Sequence, residues 1–303
     1  MLTSCQTTRQ NLDLVRRSQP LLGTFVTISV YDADRDKANR GISEAFGEIQ
    51  RIDRVMSLHR PDSELNRLNQ RAAAEPVAVS RDLFRVIAVA GEISEQTEGS
   101  FDITIRPLAD LWGFIWKEYR MPTESELEAT LPRVNYKLIE LDEARQTVRF
   151  LRPGISIDLG GIGKGYAVDR AIEKLENNGI TNAMVKIGGD LRVIGAPPGR
   201  ANWTVQIEDP QKKGRRRELP LRDVALSTSG NYENFFMIEG QRYSHILNPR
   251  TGLPIRGISG CTVVAPTCAE ADAYATAFFV YGRKKTFQKF GARLKIEFTA
   301  DEE

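Results

Sequence analysis

The chain carries two hydrophobic periodicities, and the order in which they follow one another limits its architecture more than any other feature. Phe25 to Ala33 ("FVTISVYDA") alternates apolar and polar residues, as a half-buried strand does. Directly after it, Ile42, Ala45, Phe46, Ile49, Ile52, Val55 and Met56 recur at spacings of three and four, the stripe of a long amphipathic helix. Further helices are predicted after a turn at Pro61-Asp62, where Ser63 is placed to cap, and from Ser80 or Asp82 to just before Gly99. Others are predicted at "ESELEATLP", from Tyr166 to Asn177, over "CAEADAYATAFFVYG" up to Gly282, and near the C-terminus. Strands are predicted in "KLIELDEARQTVRFLRPGISIDLGG", on both sides of Gly188-Gly189, in "WTVQIE" and "ELPLRDVAL", in "GCTVVAP", and at the C-terminal end. "FDITIRP" reads as strand or loop, while "LSTSGNYENFF" and "YSHILNPRTGLP" read as turn-rich. The two periods mix without a strict βαβ alternation, so the expected class is α+β, with mixed or antiparallel sheets and packed helices.

Composition removes several functions. The 303 residues suffice for one large domain or two ordinary ones. A formal net charge of +2 supplies no global field for nucleic acid or a membrane. The basic run from Lys212 to Arg217 lies between two strand patterns and is read as a solvated hairpin turn rather than a nucleic-acid patch. Three cysteines without a C-x-x-C pair, and only two histidines, leave no ligand set for a structural zinc site. Cys261 and Cys268 could pair only if their strands met. No 18-residue apolar span occurs. At the N-terminus, Leu2-Thr3-Ser4-Cys5 resembles the end of a bacterial lipoprotein box, with chance as the alternative. Residues 1–20 are accordingly read as a tether and 21–303 as the functional domain, open to division into two intertwined subdomains.

The stretch "DLGGIGKGYAVDRA", residues 158 to 171, is dense in glycine and places Lys164 at the start of a helical run. It is not a Walker loop: Lys164 is followed by Gly165, and the residue five before Gly163 is Asp158. It is not a dinucleotide fingerprint either, because the last glycine position holds Tyr166. The physical logic of an anion site remains, since glycines admit close backbone approach and first-turn N–H groups favour negative charge. A plain strand-to-helix turn with an exposed lysine is the competing reading. Farther on, Asp272 and Thr276 lie four apart in a helical pattern and so share a face. One carboxylate, one hydroxyl and backbone carbonyls would suit Mg²⁺; an ordinary helix start would also use these residues.

Taken in order, these segments resemble the bacterial FAD:protein FMN transferases, the ApbE family. The resemblance runs from about Leu21 to Gly282, through "PLLGTFVTI", "MSLHRPDSELNRLN", "GSFDITIRPLADLWGF", "DLGGIGKGYAVD", "IGGD", "STSG", "HILNPRTG" and "ADAYATA". It implies an ApbE-like, T-fold-like architecture. It also implies Mg²⁺-dependent cleavage of the FAD pyrophosphate, transfer of FMN to a threonine or serine hydroxyl of an acceptor protein, and release of AMP. Acceptors of this kind are periplasm-facing subunits of membrane redox complexes. The resemblance therefore implies a periplasmic enzyme, held to the membrane only by a lipid on Cys5 if that box is real. By the same resemblance, Asp272, Thr276 and the Gly161 carbonyl are metal ligands, and Lys164 contacts the pyrophosphate. Leu22, His59, Ser100, Phe101, Asp102, Asp158 and Ile246 match FAD-contacting positions. His245 is the candidate base on the acceptor hydroxyl, or else orders its turn. The chain departs from the family where Leu22 replaces a methionine, His59 a tyrosine and Asn248 an aspartate. Two alternatives use the same residues: a hydrolase giving FMN and AMP, and a flavin carrier without turnover.

Overall fold

The computed structural model describes residues 12–208, 216–232 and 234–300; Cys5 and Lys212 lie outside them. Alternating Val26, Ile28 and Val30, all fully buried, commit β2 (Thr24–Asp32) to the middle of a sheet, paired with β1 (Asp13–Leu21) through a two-residue turn at Leu22-Gly23. Both turn residues have positive φ, as hairpin turns of this length require. The predicted long helix is α1 (Arg35–Met56), capped by Asp34. Next come α2 (Glu64–Arg71), capped by Ser63 as expected, β3 (Val77–Ala78), and α3 (Arg81–Gln96), capped by Ser80. After α4 (Arg106–Leu111) and α5 (Glu124–Thr130) follow β4 (Ile139–Asp142) and β5 (Thr147–Phe150), then α6 (Gly163–Asn177).

The second half is built mainly of strands: β6 (Ala183–Ile187), β7 (Asp190–Ile194), β8 (Trp203–Glu208), β9 (Arg216–Leu221), β10 (Val224–Gly230), β11 (Phe235–Ile238), β12 (Gln241–Ser244) and β13 (Ile258–Ala265). The helices α7 (Cys268–Tyr281) and α8 (Arg283–Phe290) and the strand β14 (Lys295–Ala300) close the chain. Seven strands form one sheet in the order β1-β2-β6-β7-β10-β13-β14, antiparallel at every junction. The expected α+β class is the one observed.

The helices α1, α6 and α7 lie side by side along this sheet and enclose the main core. Along β7 and β10, alternate residues Leu191, Val193 and Leu226 point to the other face, where the β8–β9 hairpin covers them. A smaller core forms around Trp112, with Phe114, Phe236 and Tyr243. The Trp112 indole N–H donates to the Gly252 carbonyl at 2.8 Å, which fixes the loop after β12 to α4. Among the described residues no helix is long and apolar enough to cross a membrane.

Three sequence expectations change. "LSTSG" is not a turn but the second half of β10, because Ser227 and Ser229 turn their hydroxyls inward to partners that sequence cannot see. "FDITIRP" forms neither strand nor open loop. It is a 3₁₀ turn at Ile103–Ile105, capped by Asp102, leading into α4. Residues 151–160 form no strand after β5: the Asn69 side chain holds the Ile157 backbone through paired hydrogen bonds of 2.7 and 3.0 Å. Cys261 and Cys268 are both free thiols, each buried.

Candidate active site

One cavity opens where the start of α6, the inner face of α7, the end of β10 and two loops converge. Its position follows from close packing of α6 on α7. A Cβ at Gly165 would stand 2.2 Å from the Cys268 carbonyl oxygen, so only glycine lets these helices come so near. Across the same contact, the Gly165 N–H donates to Asp272 Oδ2 at 3.1 Å. Asp169, one turn along α6, accepts from the Cys268 and Ala269 N–H groups, both at 2.9 Å, and so adds a second cap to α7. Arg192 on β7 binds the same carboxylate at 2.7 Å.

Most of the expected site residues meet here. Ser100, Phe101, Asp102, Asp158, Gly161, Lys164, His245, Ile246, Asp272 and Thr276 all line the cavity. Asp272, only 2% exposed, and Thr276 stand one turn apart on α7, and the Thr276 hydroxyl lies 3.2 Å from that of Ser229. Gly161 is packed against Thr276: a Cβ there would sit 3.3 Å from Thr276 Oγ1. A carboxylate and a hydroxyl one turn apart are hard oxygen donors of the kind a divalent cation such as Mg²⁺ takes. Among the described residues no group of three or more His, Cys, Asp or Glu side chains is placed to hold a metal ion.

The electrostatics are specific. The Lys164 ammonium sits 2.6 Å from Asp190 Oδ2, and Asp190, 1% exposed, also accepts from the Ser227 hydroxyl. His245 Nδ1 lies 2.9 Å from the Asn234 carbonyl, which can only accept, so Nδ1 carries the proton and Nε2 keeps its lone pair. Desolvation lowers the His245 pKa below its ordinary value, and the positive charge of Lys164 lowers it further against the raising effect of the Asn234 bond. The ring is therefore neutral at pH 7. Burial raises the pKa of Asp158, opposed by its bond from the Gly160 N–H and by the charges of Arg106 and His59.

Other expected residues take different positions. Asp102 lines the cavity, but its carboxylate accepts from the Thr104 N–H and hydroxyl and from the Tyr136 N–H, at 2.6 to 2.8 Å. These bonds tie the 3₁₀ turn at Ile103–Ile105 to the segment that begins at Tyr136. Leu22 and His59 do not line the cavity. Leu22 occupies the β1–β2 turn with φ +54°, half-buried against the main core. His59 is exposed and meets Trp116 edge to face. Asn248 builds its own turn, accepting from the Arg250 N–H at 2.9 Å. Sequence reasoning assigned no role to Asp169, Asp190 or Asn234. Asp169 and Asp190 stand inside the quoted motifs "GYAVD" and "IGGD", which was the available signal.

The model of the ApbE family matches residues 22–298. A protein from Vibrio cholerae serotype O1 named FAD:protein FMN transferase is 33% identical over 294 residues, 94% of this chain and 86% of that protein. A Treponema pallidum protein of the same name is 31% identical, over 89% of this chain and 79% of its own length. The crystal structure of the ApbE protein from Thermotoga maritima superposes with a TM-score of 0.86 at 33% identity, covering 95% of this chain and 94% of that one. For the apo flavinyl transferase ApbE of Pseudomonas stutzeri the TM-score is 0.87 at 26% identity, with 96% and 92% covered. With a family match across nearly its whole length and the same fold in solved relatives, this chain belongs to the ApbE family.

Proposed function

We propose that the protein is an FAD:protein FMN transferase that moves FMN from FAD to a threonine or serine hydroxyl of an acceptor protein and releases AMP. The observation that carries this reading is the convergence of Lys164, His245, Asp272 and Thr276, from separate stretches of chain, on one cavity. The names of the relatives support the same activity.

In this reading, Asp272, Thr276 and the Gly161 carbonyl hold Mg²⁺, which when bound offsets negative charge on the pyrophosphate oxygens. Lys164, oriented by Asp190, places a further positive charge beside the pyrophosphate. Neutral His245 accepts the acceptor hydroxyl proton at Nε2 while its Nδ1–H stays on the Asn234 carbonyl. A bond forms between the acceptor oxygen and the flavin-side phosphorus. The phosphoanhydride bond to AMP breaks, and AMP leaves. The chain supplies no nucleophile of its own in this scheme.

The test is AMP release from FAD with Mg²⁺, with and without an acceptor domain carrying the target hydroxyl. AMP formation that depends on the acceptor, with flavin left covalently on it, is the expected result. AMP and free FMN in both samples would replace this reading with a hydrolase.

A further inference from the structure

The β11–β12 hairpin pairs with no further strand, so no larger backbone ladder fixes where it stands. Aromatic side chains do. Phe236 on β11 and Tyr243 on β12 stack across the hairpin at 5.2 Å, and Trp112 lies against both. Tyr119, on the loop after α4, adds a further ring: it stacks on Phe236 with centroids 5.1 Å apart and planes at 20°.

The paired strands end at Phe235 and Ser244. One residue beyond, the Asn234 carbonyl accepts two bonds from His245, one from its backbone N–H at 3.0 Å and one from ring Nδ1 at 2.9 Å. The Asn234 side chain is held as well, because the Tyr119 hydroxyl donates to its Oδ1 at 2.9 Å. Tyr119 in turn stands between two anchored neighbours. The Glu118 N–H bonds the Gly113 carbonyl (3.0 Å) and the Arg120 N–H the Trp112 carbonyl (3.2 Å). Gly113 makes this closure available: its φ is +77°, and a Cβ there would stand 1.9 Å from the Glu118 carbonyl oxygen.

Tyr119 is 37% exposed, and water could satisfy its hydroxyl. A bond in such a position adds little to stability. Its effect is on geometry: with both ring and hydroxyl engaged, Tyr119 ties Asn234 to an anchored loop at the point where the hairpin ladder stops. The residue fixed in this way carries the carbonyl that sets the His245 tautomer.

We infer that Tyr119 is a positioning residue for His245: by holding the Asn234 side chain, it keeps the Asn234 carbonyl on Nδ1–H and leaves Nε2 open to the proton of the acceptor hydroxyl. The inference rests on the transferase reading and extends it to a loop that does not line the cavity.

The test is ¹⁵N NMR of the histidine rings at pH 7, with transfer kinetics on the same variants. The chain has two histidines, so His59→Gln leaves the His245 ring alone in the spectrum. Tyr119→Phe keeps the stack and loses the bond, and thermal melting checks its fold. The wild-type background should show Nδ1 protonated and Nε2 bare, and Tyr119→Phe should show a share of the opposite tautomer. Its kcat for flavin transfer should fall about fivefold with KM for FAD unchanged. Asn234→Ala keeps the carbonyl but removes the partner of Tyr119, so it should match Tyr119→Phe, and the double variant should lose no more than either. Unchanged ring nitrogen signals in Tyr119→Phe would overturn the inference whatever the rate, as would losses that add in the double variant. Altered signals with an unchanged transfer rate would uphold the positioning and remove the base role of His245 from the transferase reading.

Discussion

The backbone N–H of Gly165, in the first turn of α6, donates to Asp272 Oδ2 on α7 across 3.1 Å. This bond aims the carboxylate on which the proposed metal site depends, and it exists because the Cys268 carbonyl fills the space where a side chain at 165 would begin. Gly165→Ala gains up to about 1 kcal/mol of helix propensity but forces the helices apart. Overpacking of this kind costs about 1–3 kcal/mol, so a net loss of stability is expected. Urea unfolding would measure it, and AMP release should fall with it because Asp272 moves. A variant as stable and as active as the wild type would show that the helix contact is not tight.

Asp169 is the second tie between the same helices. Asp169→Ala strands two N–H groups of α7 and leaves Arg192 without its carboxylate, for an expected loss of about 3 kcal/mol. Asp169→Asn keeps an acceptor oxygen and should lose less. Chemical denaturation of both variants distinguishes the capping role from a purely ionic one, in which the two substitutions would cost the same.

In the proposed mechanism His245 sets the acid limb of the pH profile. Its pKa is lowered, so the neutral ring that can accept a proton persists below the ordinary histidine value, and the rate should fall only as pH drops through that lowered pKa. Lys164→Met removes a charge that favours the neutral ring, so the acid limb should move to higher pH even as the overall rate drops. The profile of kcat/KM for flavin transfer tests both points. His245→Gln with an unchanged rate would remove the base role.

Chelation should abolish AMP release, and added Mg²⁺ should restore it. Asp272→Asn keeps the shape of the site but removes its charge, and a loss of about 100-fold or more in AMP release is expected. Metal titration followed by calorimetry should show the same variant binding Mg²⁺ more weakly. If the variant is fully active, the cation is held elsewhere.

Much of the site was readable because its residues occur in short stretches whose local chemistry is recognisable. Asp272 and Thr276 share a helix face at any position in a fold, and Lys164 begins a helix wherever glycines permit the turn. Asp102 shows the opposite case. Its position in "GSFD" was legible, but its use was not, since the Tyr136 N–H that binds it comes from a distant segment. The strand character of "LSTSG" was hidden for the same reason: hydroxyls that usually build turns here point at Asp190 on β7 and Thr276 on α7.

Sequence by itself determined the α+β class and the cap at Ser63, and narrowed the start of α3 to Ser80 or Asp82; these follow from periodicity and local hydrogen bonding, which act within a few residues. Most of the residues expected in the cavity came instead from the resemblance of the ordered motifs to a known family. Tertiary structure alone decided how close α6 and α7 come at Gly165, which carboxylate orients Lys164, and which tautomer Asn234 imposes on His245. It also decided that His59 meets Trp116 and is not among the residues lining the cavity. Each of these depends on groups far apart in the chain, whose distances are set by packing and by the desolvation that packing imposes, and neither quantity is encoded in any single stretch of residues.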